Sequence, residues 1–102
     1  MAIDIYVTCT DKTEATRISK HLLKLKLIAC ANIFPVDSLY WWKGKIVKGK
    51  EAAVLIKAQE KNYSRIEKEI KKLHSYTVPC ISLIKIAKIN KECEKWLKGV
   101  TK

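Results

Sequence analysis

The amino-acid sequence predicts a single α+β domain spanning residues 1–102, in which helices cover one face of an antiparallel sheet. Segments with the two-residue alternation of strands take turns with segments whose apolar residues recur every three or four positions, as in helices. The chain contains only three glycines and two prolines. The turns between these segments are therefore expected to be few and short.

A strand followed by a helix is predicted at the start of the chain. In residues 3–9 apolar side chains alternate with polar ones, which is typical of a half-buried strand. Asp11 is a suitable helix N-cap, and Glu14 stands three residues later, where it completes a capping box. The predicted helix carries one apolar stripe, made of Ala15, Ile18, Leu22 and Leu25.

A long hairpin is predicted next. Residues 27–34 form a nearly continuous apolar run, which predicts a central strand covered on both faces. Pro35 predicts a bend or bulge, after which the strand pattern resumes in residues 38–42. Residues 43–45, Lys-Gly-Lys, form the predicted turn. The returning strand comprises residues 46–47 and 51–58.

The last part of the chain repeats the helix and strand pattern. Asn62 is the predicted cap of a second helix, whose stripe is Tyr63, Ile66, Ile70 and Leu73. Residues 74–79 are predicted as a loop, since the residue before a proline avoids the helical region, and residues 80–87 as a strand. Asn90 is the predicted cap of a terminal helix with Cys93, Trp96, Leu97 and Val100 inside. Two split β-α-β halves in this order predict a ferredoxin-like βαββαβ sandwich with an added C-terminal helix.

The hairpin indicates that the protein is an oligomer. Its arms, residues 27–42 and 45–58, greatly exceed the usual strand length of roughly 5–6 residues. Trp41 and Trp42 are adjacent, so on a strand they point to opposite faces, and Leu39 and Tyr40 lie beside them. Both faces of the tip are therefore apolar, which favours contact with further copies of the chain. The alternative is a monomer with exposed aromatic side chains.

The net charge of +11 raises nucleic acids and acidic surfaces as partners. Most of the lysines, however, are predicted on helix faces where they are interleaved with glutamates, as in Glu67, Lys68, Glu69, Lys71 and Lys72. Such a run is typical of a solvated face, so nucleic-acid binding is not expected. The sequence also lacks the aromatic run of RNA-recognition motifs.

The chain is expected to be cytoplasmic and not inserted in a membrane. Asp4 stands where a signal peptide would be apolar, and the longest apolar stretch, residues 27–31, is too short to cross a bilayer. The four cysteines show no C-x-x-C pair and no zinc spacing, so they are predicted to be reduced thiols.

Several side chains are candidates for binding. No nucleophile or phosphate-loop motif is present, so no enzyme activity is expected. Cys9, His74 and Cys80 have soft donor atoms that suit copper or another divalent cation, the alternative being a packed Cys9 and a His74 bonded to backbone. Lys57 and Asn32 interrupt apolar strands. Each needs either a polar partner in a cleft or an outward position at a strand end.

Four blocks of sequence resemble those of the CutA family, the divalent-cation tolerance proteins. The blocks are Leu27-Ile28-Ala29-Cys30-Ala31-Asn32, then Ser38-Leu39-Tyr40 with Trp42-Lys43-Gly44-Lys45, then Leu55-Ile56-Lys57, and finally Leu73-His74-Ser75-Tyr76-Thr77-Val78-Pro79. They span nearly the whole chain in the order and spacing of the family. Ser75 stands where the family usually has proline.

The resemblance implies a homotrimer similar in architecture to the P-II signalling proteins. It also implies a link to copper and other divalent cations, with no enzyme reaction. Inter-subunit clefts would be lined by Asn32, Tyr40, Trp42, Lys57, His74 and Tyr76. The copper-binding cysteine of bacterial members falls on Val7 and their second histidine on Leu73. A site made of Cys9, His74 and Cys80 is therefore a separate hypothesis. The alternative function is a basic interaction module that binds nucleic acid or a protein without metal.

Overall fold

The computed structural model describes all of residues 1–102 and contains four strands and three helices in the order β-α-β-β-α-β-α. The strands are β1 (Ala2–Cys9), β2 (Ile28–Trp42), β3 (Lys45–Gln59) and β4 (Ile81–Lys85). The helices are α1 (Lys12–Lys24), α2 (Tyr63–Leu73) and α3 (Lys91–Val100), with a 3₁₀ turn at Glu60–Asn62. All strand pairs are antiparallel and the sheet order is β2-β3-β1-β4. The predicted α+β, ferredoxin-like fold is confirmed.

One face of the sheet forms the core with α1 and α2. Alternation along β1 and β3 directs their apolar side chains toward the helices. The fully buried residues on this side include Ile5, Val7, Ile56, Ile18, Leu22, Ile66 and Ile70. Burial of an isoleucine or leucine side chain contributes roughly 1.5–3 kcal/mol, so this layer is the main hydrophobic core of a single chain.

The opposite face of the sheet, called the open face below, has little cover in one chain. Every second strand residue points to this face, away from the helices, and these residues include Tyr6, Leu55, Phe34, Lys57 and Asn32. Helix α3 covers only one end, where the buried Leu97 packs against Ala2 and Ala29. Most of this face is only partly buried, and Phe34 is 40% exposed.

Strand β2 lies at an edge of the sheet, so the prediction of a central strand in residues 27–34 is wrong. The centre is taken by β1 and β3, because β1 pairs with both β3 and β4. The predicted bulge at Pro35 is also wrong, since Pro35 pairs in register with Ala52 and the irregularity falls at Ala29. An edge strand tolerates a proline because its missing N–H can face away from the ladder.

The ends of the elements agree with the sequence only in part. Asp11 Oδ1 accepts a hydrogen bond from the Glu14 amide at 2.8 Å, which confirms the first N-cap. Asn62 and Asn90 make no capping hydrogen bond, and their side-chain amides donate to Lys102 O and Glu92 Oε1. The last strand is shorter than the predicted 80–87.

The hairpin turn is where it was predicted. Lys43 and Gly44 both have positive φ, 49° and 77°, which is the pattern of the two-residue turn that matches strand twist. Strand β3 then runs without interruption through residues 48–50, which the sequence pattern left out. None of the three helices has the length and apolar character needed to cross a membrane.

Candidate functional site

A buried group of three potential metal ligands lies where β1 ends and α1 begins. Cys9 is the last residue of β1, Glu14 lies in the first turn of α1, and His74 follows the last residue of α2. Each residue offers one ligand atom: a sulfur, a carboxylate oxygen or a ring nitrogen. These three atoms all lie within 4.8 Å of one another. The group is called the Cys9–Glu14–His74 cluster below.

Glu14 is held by backbone amides from two segments of the chain. Its Oε1 accepts from Thr10 N at 3.0 Å and its Oε2 from Ser75 N at 2.9 Å, and Arg17 lies 3.8 Å away. Burial alone would raise the pKa of this carboxyl, but the hydrogen bonds from Thr10 and Ser75 hold it below its usual value. Glu14 is therefore an ionised carboxylate at neutral pH even though it is only 4% exposed.

Both nitrogens of His74 have backbone partners. The side chain has no exposed surface. Nε2 donates to Thr8 O at 2.8 Å, and Nδ1 accepts from Tyr76 N at 3.1 Å. Because a carbonyl only accepts and an amide only donates, these partners assign the tautomer with its proton on Nε2. This agrees with the alternative expectation of a histidine bonded to backbone.

Cys9 is fully buried and carries a protonated thiol. Burial, followed by the negative charges of Glu14, Asp11 and Glu51, raises its pKa to about 12. A thiol in this state is a poor nucleophile at neutral pH. A bound soft cation would have to displace the thiol proton.

The structure brings together two of the three metal ligands suggested by the sequence. Cys80 is exposed, precedes β4 and does not belong to the cluster. Glu14 takes its place, although the sequence identified it only as a capping residue. The one feature of the sequence that could have indicated Glu14 as a ligand is its carboxylate, five positions after Cys9 and across the turn from strand to helix.

Four of the residues expected in clefts project from the open face. The strand register places Asn32, Tyr40, Trp42 and Lys57 on this side of the sheet. Lys57 Nζ donates to Asp4 Oδ1 at 2.8 Å, and this hydrogen bond raises the pKa of Lys57 against the effect of burial. Lys57 therefore has a polar partner. Asn32 instead points outward and is exposed, which was the alternative expectation for these two residues.

Tyr76 connects the buried cluster with the open face. Its ring lies 4.7 Å from that of His74, measured between centroids, and its hydroxyl donates to Glu51 Oε2 at 2.6 Å. Burial and the Glu51 carboxylate raise the pKa of Tyr76. Burial opposes ionisation of Glu51, yet hydrogen bonds that include the one from Tyr76 keep its pKa below the usual value. A movement of residues 74–76 would therefore alter the hydrogen bond between Tyr76 and Glu51.

The tip of the hairpin exposes large apolar side chains on both faces. Trp41 and Trp42 are 72% and 60% exposed, and the ladder places them on opposite sides. Leu39 and Ile46 are exposed on the side of Trp41, and Tyr40 on the side of Trp42. Lys43 Nζ lies 5.7 Å from the Trp42 ring centroid. The apolar character that the sequence predicted for both faces is confirmed.

Sequence comparison finds relatives over nearly the whole chain. The family model described as CutA1 divalent ion tolerance protein matches residues 3–100. The divalent-cation tolerance protein CutA of Archaeoglobus fulgidus is 44% identical over 93 residues, which cover 91% of each chain. The protein of the same name from Pyrococcus horikoshii is 40% identical over 100 residues, 98% of each chain.

Comparison with solved structures gives the same result. The periplasmic divalent cation tolerance protein CutA from Archaeoglobus fulgidus superposes with a TM-score of 0.96 at 42% identity, over 98% of both chains. The divalent cation tolerance protein from Thermus thermophilus superposes with a TM-score of 0.96 at 34% identity, over 100% of both chains.

Proposed function

Since the chain belongs to the CutA1 family of divalent ion tolerance proteins, we propose that it acts as a cytoplasmic, non-enzymatic homotrimer that responds to copper or another divalent cation. Clefts between its subunits would bind the cation or a small ligand. The observation that carries the proposal is the open face, with its apolar side chains and the two-sided aromatic hairpin tip that no other part of the chain covers.

The open face supports self-association. Tyr6, Leu55 and Phe34 are apolar and only partly buried in one chain, and Trp42 extends the same surface to the hairpin tip. Contiguous apolar surface of this kind usually marks an interface. A closed ring of subunits would also protect the free edges of β2 and β4. The choice of three subunits follows the family resemblance.

Lys57, Tyr40 and Trp42 support the position of the clefts. All three project from the open face, so in a ring of subunits they would stand at the borders between neighbours. The Lys57–Asp4 ion pair puts a charged group within this apolar surface. In one chain Lys57 lies far along the hairpin from Tyr40 and Trp42, since it pairs with Cys30 near the start of β2. An ammonium of one subunit that faced the aromatic tip of its neighbour would suit a small ligand with both an anionic and an apolar part.

The Cys9–Glu14–His74 cluster is the best-supported cation site in the chain. Thiolate, imidazole and carboxylate are a donor set that zinc and copper accept. Binding would need the thiol proton to leave and the Tyr76 N–H to release the Nδ1 atom of His74. Cation binding would therefore be coupled to residues 74–76 and, through the Tyr76 hydroxyl, to Glu51. This coupling gives the buried cluster a route to the interface without any catalytic step.

Light scattering tests the assembly. The expected particle has three times the chain mass of 11.7 kDa. The substitution Trp42→Glu should shift the protein toward smaller particles, because it places a carboxylate in the apolar interface, and Lys68→Glu on the exposed side of α2 should not. A stable, folded wild-type particle with the mass of one chain would refute the trimer.

Anaerobic titration with Cu⁺, and with Co²⁺ as a spectroscopic probe of thiolate ligation, tests the cluster. Cys9→Ser and His74→Gln should each weaken binding at least about tenfold, since the loss of a group that only orients a metal ligand already costs about 10–100-fold. Cys80→Ser is the matched control and should bind like the wild type, since Cys80 lies outside the cluster. Circular dichroism establishes that each variant is folded. Equal affinities of all four proteins would remove the cluster as the cation site.

A further inference from the structure

Helix α1 presents a row of basic and hydroxyl side chains to solvent along one shallow groove. The groove is lined by no hydrophobic residue. Seven residues line it: His21, which is bonded to Glu69 of α2 at 2.8 Å, and the six called the α1 strip below, Lys12, Thr13, Thr16, Arg17, Lys20 and Lys24. The only acidic residue of α1 is Glu14, which is buried on the other side and bonded to backbone amides. The strip therefore carries positive charge with no carboxylate among its residues.

The neighbouring helix α2 is different. Its Glu67 pairs with Lys71 at 3.4 Å, and its Glu69 pairs with Lys72 at 3.1 Å and with His21 at 2.8 Å. The interleaving of charges expected from the sequence is thus found on α2 and is missing from α1. Among the cations of the strip only Arg17 approaches a carboxylate, that of Glu14. Lys12, Lys20 and Lys24 take part in no ion pair.

The spacing of these lysines matches an extended polyanion. Lys12, Lys20 and Lys24 are separated by multiples of four positions, so they lie on a row that winds by about 120° around the helix axis over about 18 Å. Duplex DNA carries about one negative charge per 1.7 Å of its axis, so several phosphates lie within this reach. Thr13 and Thr16 add hydroxyl donors of the kind that bond phosphate oxygens.

The composition of the strip distinguishes between polyanions. Single-stranded nucleic acid is held largely by stacking on aromatic side chains. No Phe, Tyr or Trp lines the groove, and its one ring, that of His21, is bonded to Glu69 at 2.8 Å. A membrane-surface helix inserts an apolar face, but that of α1, with Ile18 and Leu22, is buried in the core.

We propose that the α1 strip binds the phosphate backbone of double-stranded nucleic acid without regard to sequence. The strip lies on the helical side of the sheet, away from the open face, so the proposal does not depend on the cation site or on the trimer. Each lysine contact releases condensed counterions, so binding is strongest at low salt.

Fluorescence anisotropy with a labelled DNA duplex of mixed sequence, about 20 base pairs long, tests the proposal between about 50 and 200 mM salt. The variant combines Lys12→Gln, Lys20→Gln and Lys24→Gln. Its control combines Lys88→Gln, Lys95→Gln and Lys98→Gln, three exposed residues with the same change in net charge. The plot of log K against log salt should be shallower by about 2.7 in the strip variant, which is about 0.9 per lost contact, and unchanged in the control.

Two outcomes would overturn the proposal. Equal loss of slope in both variants would mean that only net charge matters. Wild-type binding to phosphatidylserine vesicles but not to the duplex would assign the strip to membranes. The Co²⁺ titration should be the same in wild type and strip variant, which keeps this test separate from that of the proposed function.

Discussion

The backbone amide of Ser75 donates a 2.9 Å hydrogen bond to the carboxylate of Glu14, although the two residues are 61 positions apart in the chain. The same carboxylate accepts from Thr10 N, at the junction of β1 and α1. One buried side chain thus joins the end of β1, the start of α1 and the segment after α2. Its removal should affect stability as well as any cation bound at Cys9 and His74.

Glu14→Gln is expected to lower the free energy of unfolding by about 2 kcal/mol or more, because hydrogen bonds to a charged acceptor are worth about 1.5–3 kcal/mol. The new amide group would also direct its own donors toward an amide N–H. Urea denaturation at fixed protein concentration measures the change. Glu67→Gln is the control, since its partly exposed carboxylate pairs only with Lys71, and it should change stability by less than about 0.5 kcal/mol. Equal effects of the two substitutions would contradict the role of Glu14.

The Lys57–Asp4 pair should make stability depend on alkaline pH. The folded-state pKa of Lys57 is raised above the ordinary value of 10.5, first by its hydrogen bond to Asp4. The contribution of the pair is therefore complete below about pH 10.5 and is lost as the pH rises through the folded-state pKa. The difference in Tm between wild type and Lys57→Met should be constant from about pH 7 to 9 and shrink above about 10.5.

Lys68→Met controls for the general effect of alkaline pH on the many lysines, since Lys68 is exposed and unpaired. Its Tm difference from the wild type should show no such step. A Lys57→Met difference that grew above pH 10.5 would have the wrong sign and would contradict the ion-pair interpretation.

Ser19→Ala is expected to stabilise the protein. The Ser19 hydroxyl is buried in α1 and has no hydrogen-bond partner. An unsatisfied buried polar group costs about 1–3 kcal/mol, and alanine is also the better helix former. Thermal unfolding should show a higher Tm for this variant. Ser64→Ala, at an exposed position of α2, gains only helix propensity and should have the smaller effect. A lower Tm for Ser19→Ala would mean that the hydroxyl is satisfied.

The hairpin turn should respond in opposite ways to substitution at its two central residues. Lys43 has φ 49° and Gly44 has φ 77°. Lys43→Asn should raise stability and Gly44→Ala should lower it, each by about 1 kcal/mol, because L-residues other than asparagine and aspartate tolerate positive φ poorly.

Gly99→Ala separates strain from crowding in this experiment. An added Cβ meets no atom within 4 Å at Gly44 or at Gly99, but only Gly44 has a positive φ. Gly99 lies in α3, so its replacement by alanine should stabilise the protein by about 0.5–1 kcal/mol. Differential scanning calorimetry of the two alanine variants should give Tm shifts of opposite sign. Shifts of the same sign would show that the turn conformation is not strained.

The sequence by itself determined most of the secondary structure and two of the three residues of the cluster. Alternation in β1, the apolar stripes of α1 and α2 and the Asp11 cap are set by residues close together in the chain, so a local pattern reveals them. The exposed aromatic tip followed in the same way from Trp41 and Trp42. Cys9 and His74 were recognised as candidate ligands by their chemistry alone.

Only the tertiary structure decided which of these residues meet. The apolar run of residues 27–34 predicts burial, but the neighbours of β2 depend on how β1 pairs on both of its sides. Glu14 lies beside Cys9 and His74 while Cys80 does not, because the segment after α2 folds back onto the start of α1 before β4 begins. Such contacts join residues distant in the chain, and the burial and hydrogen bonding that fix them exist only once the helices have packed on the sheet.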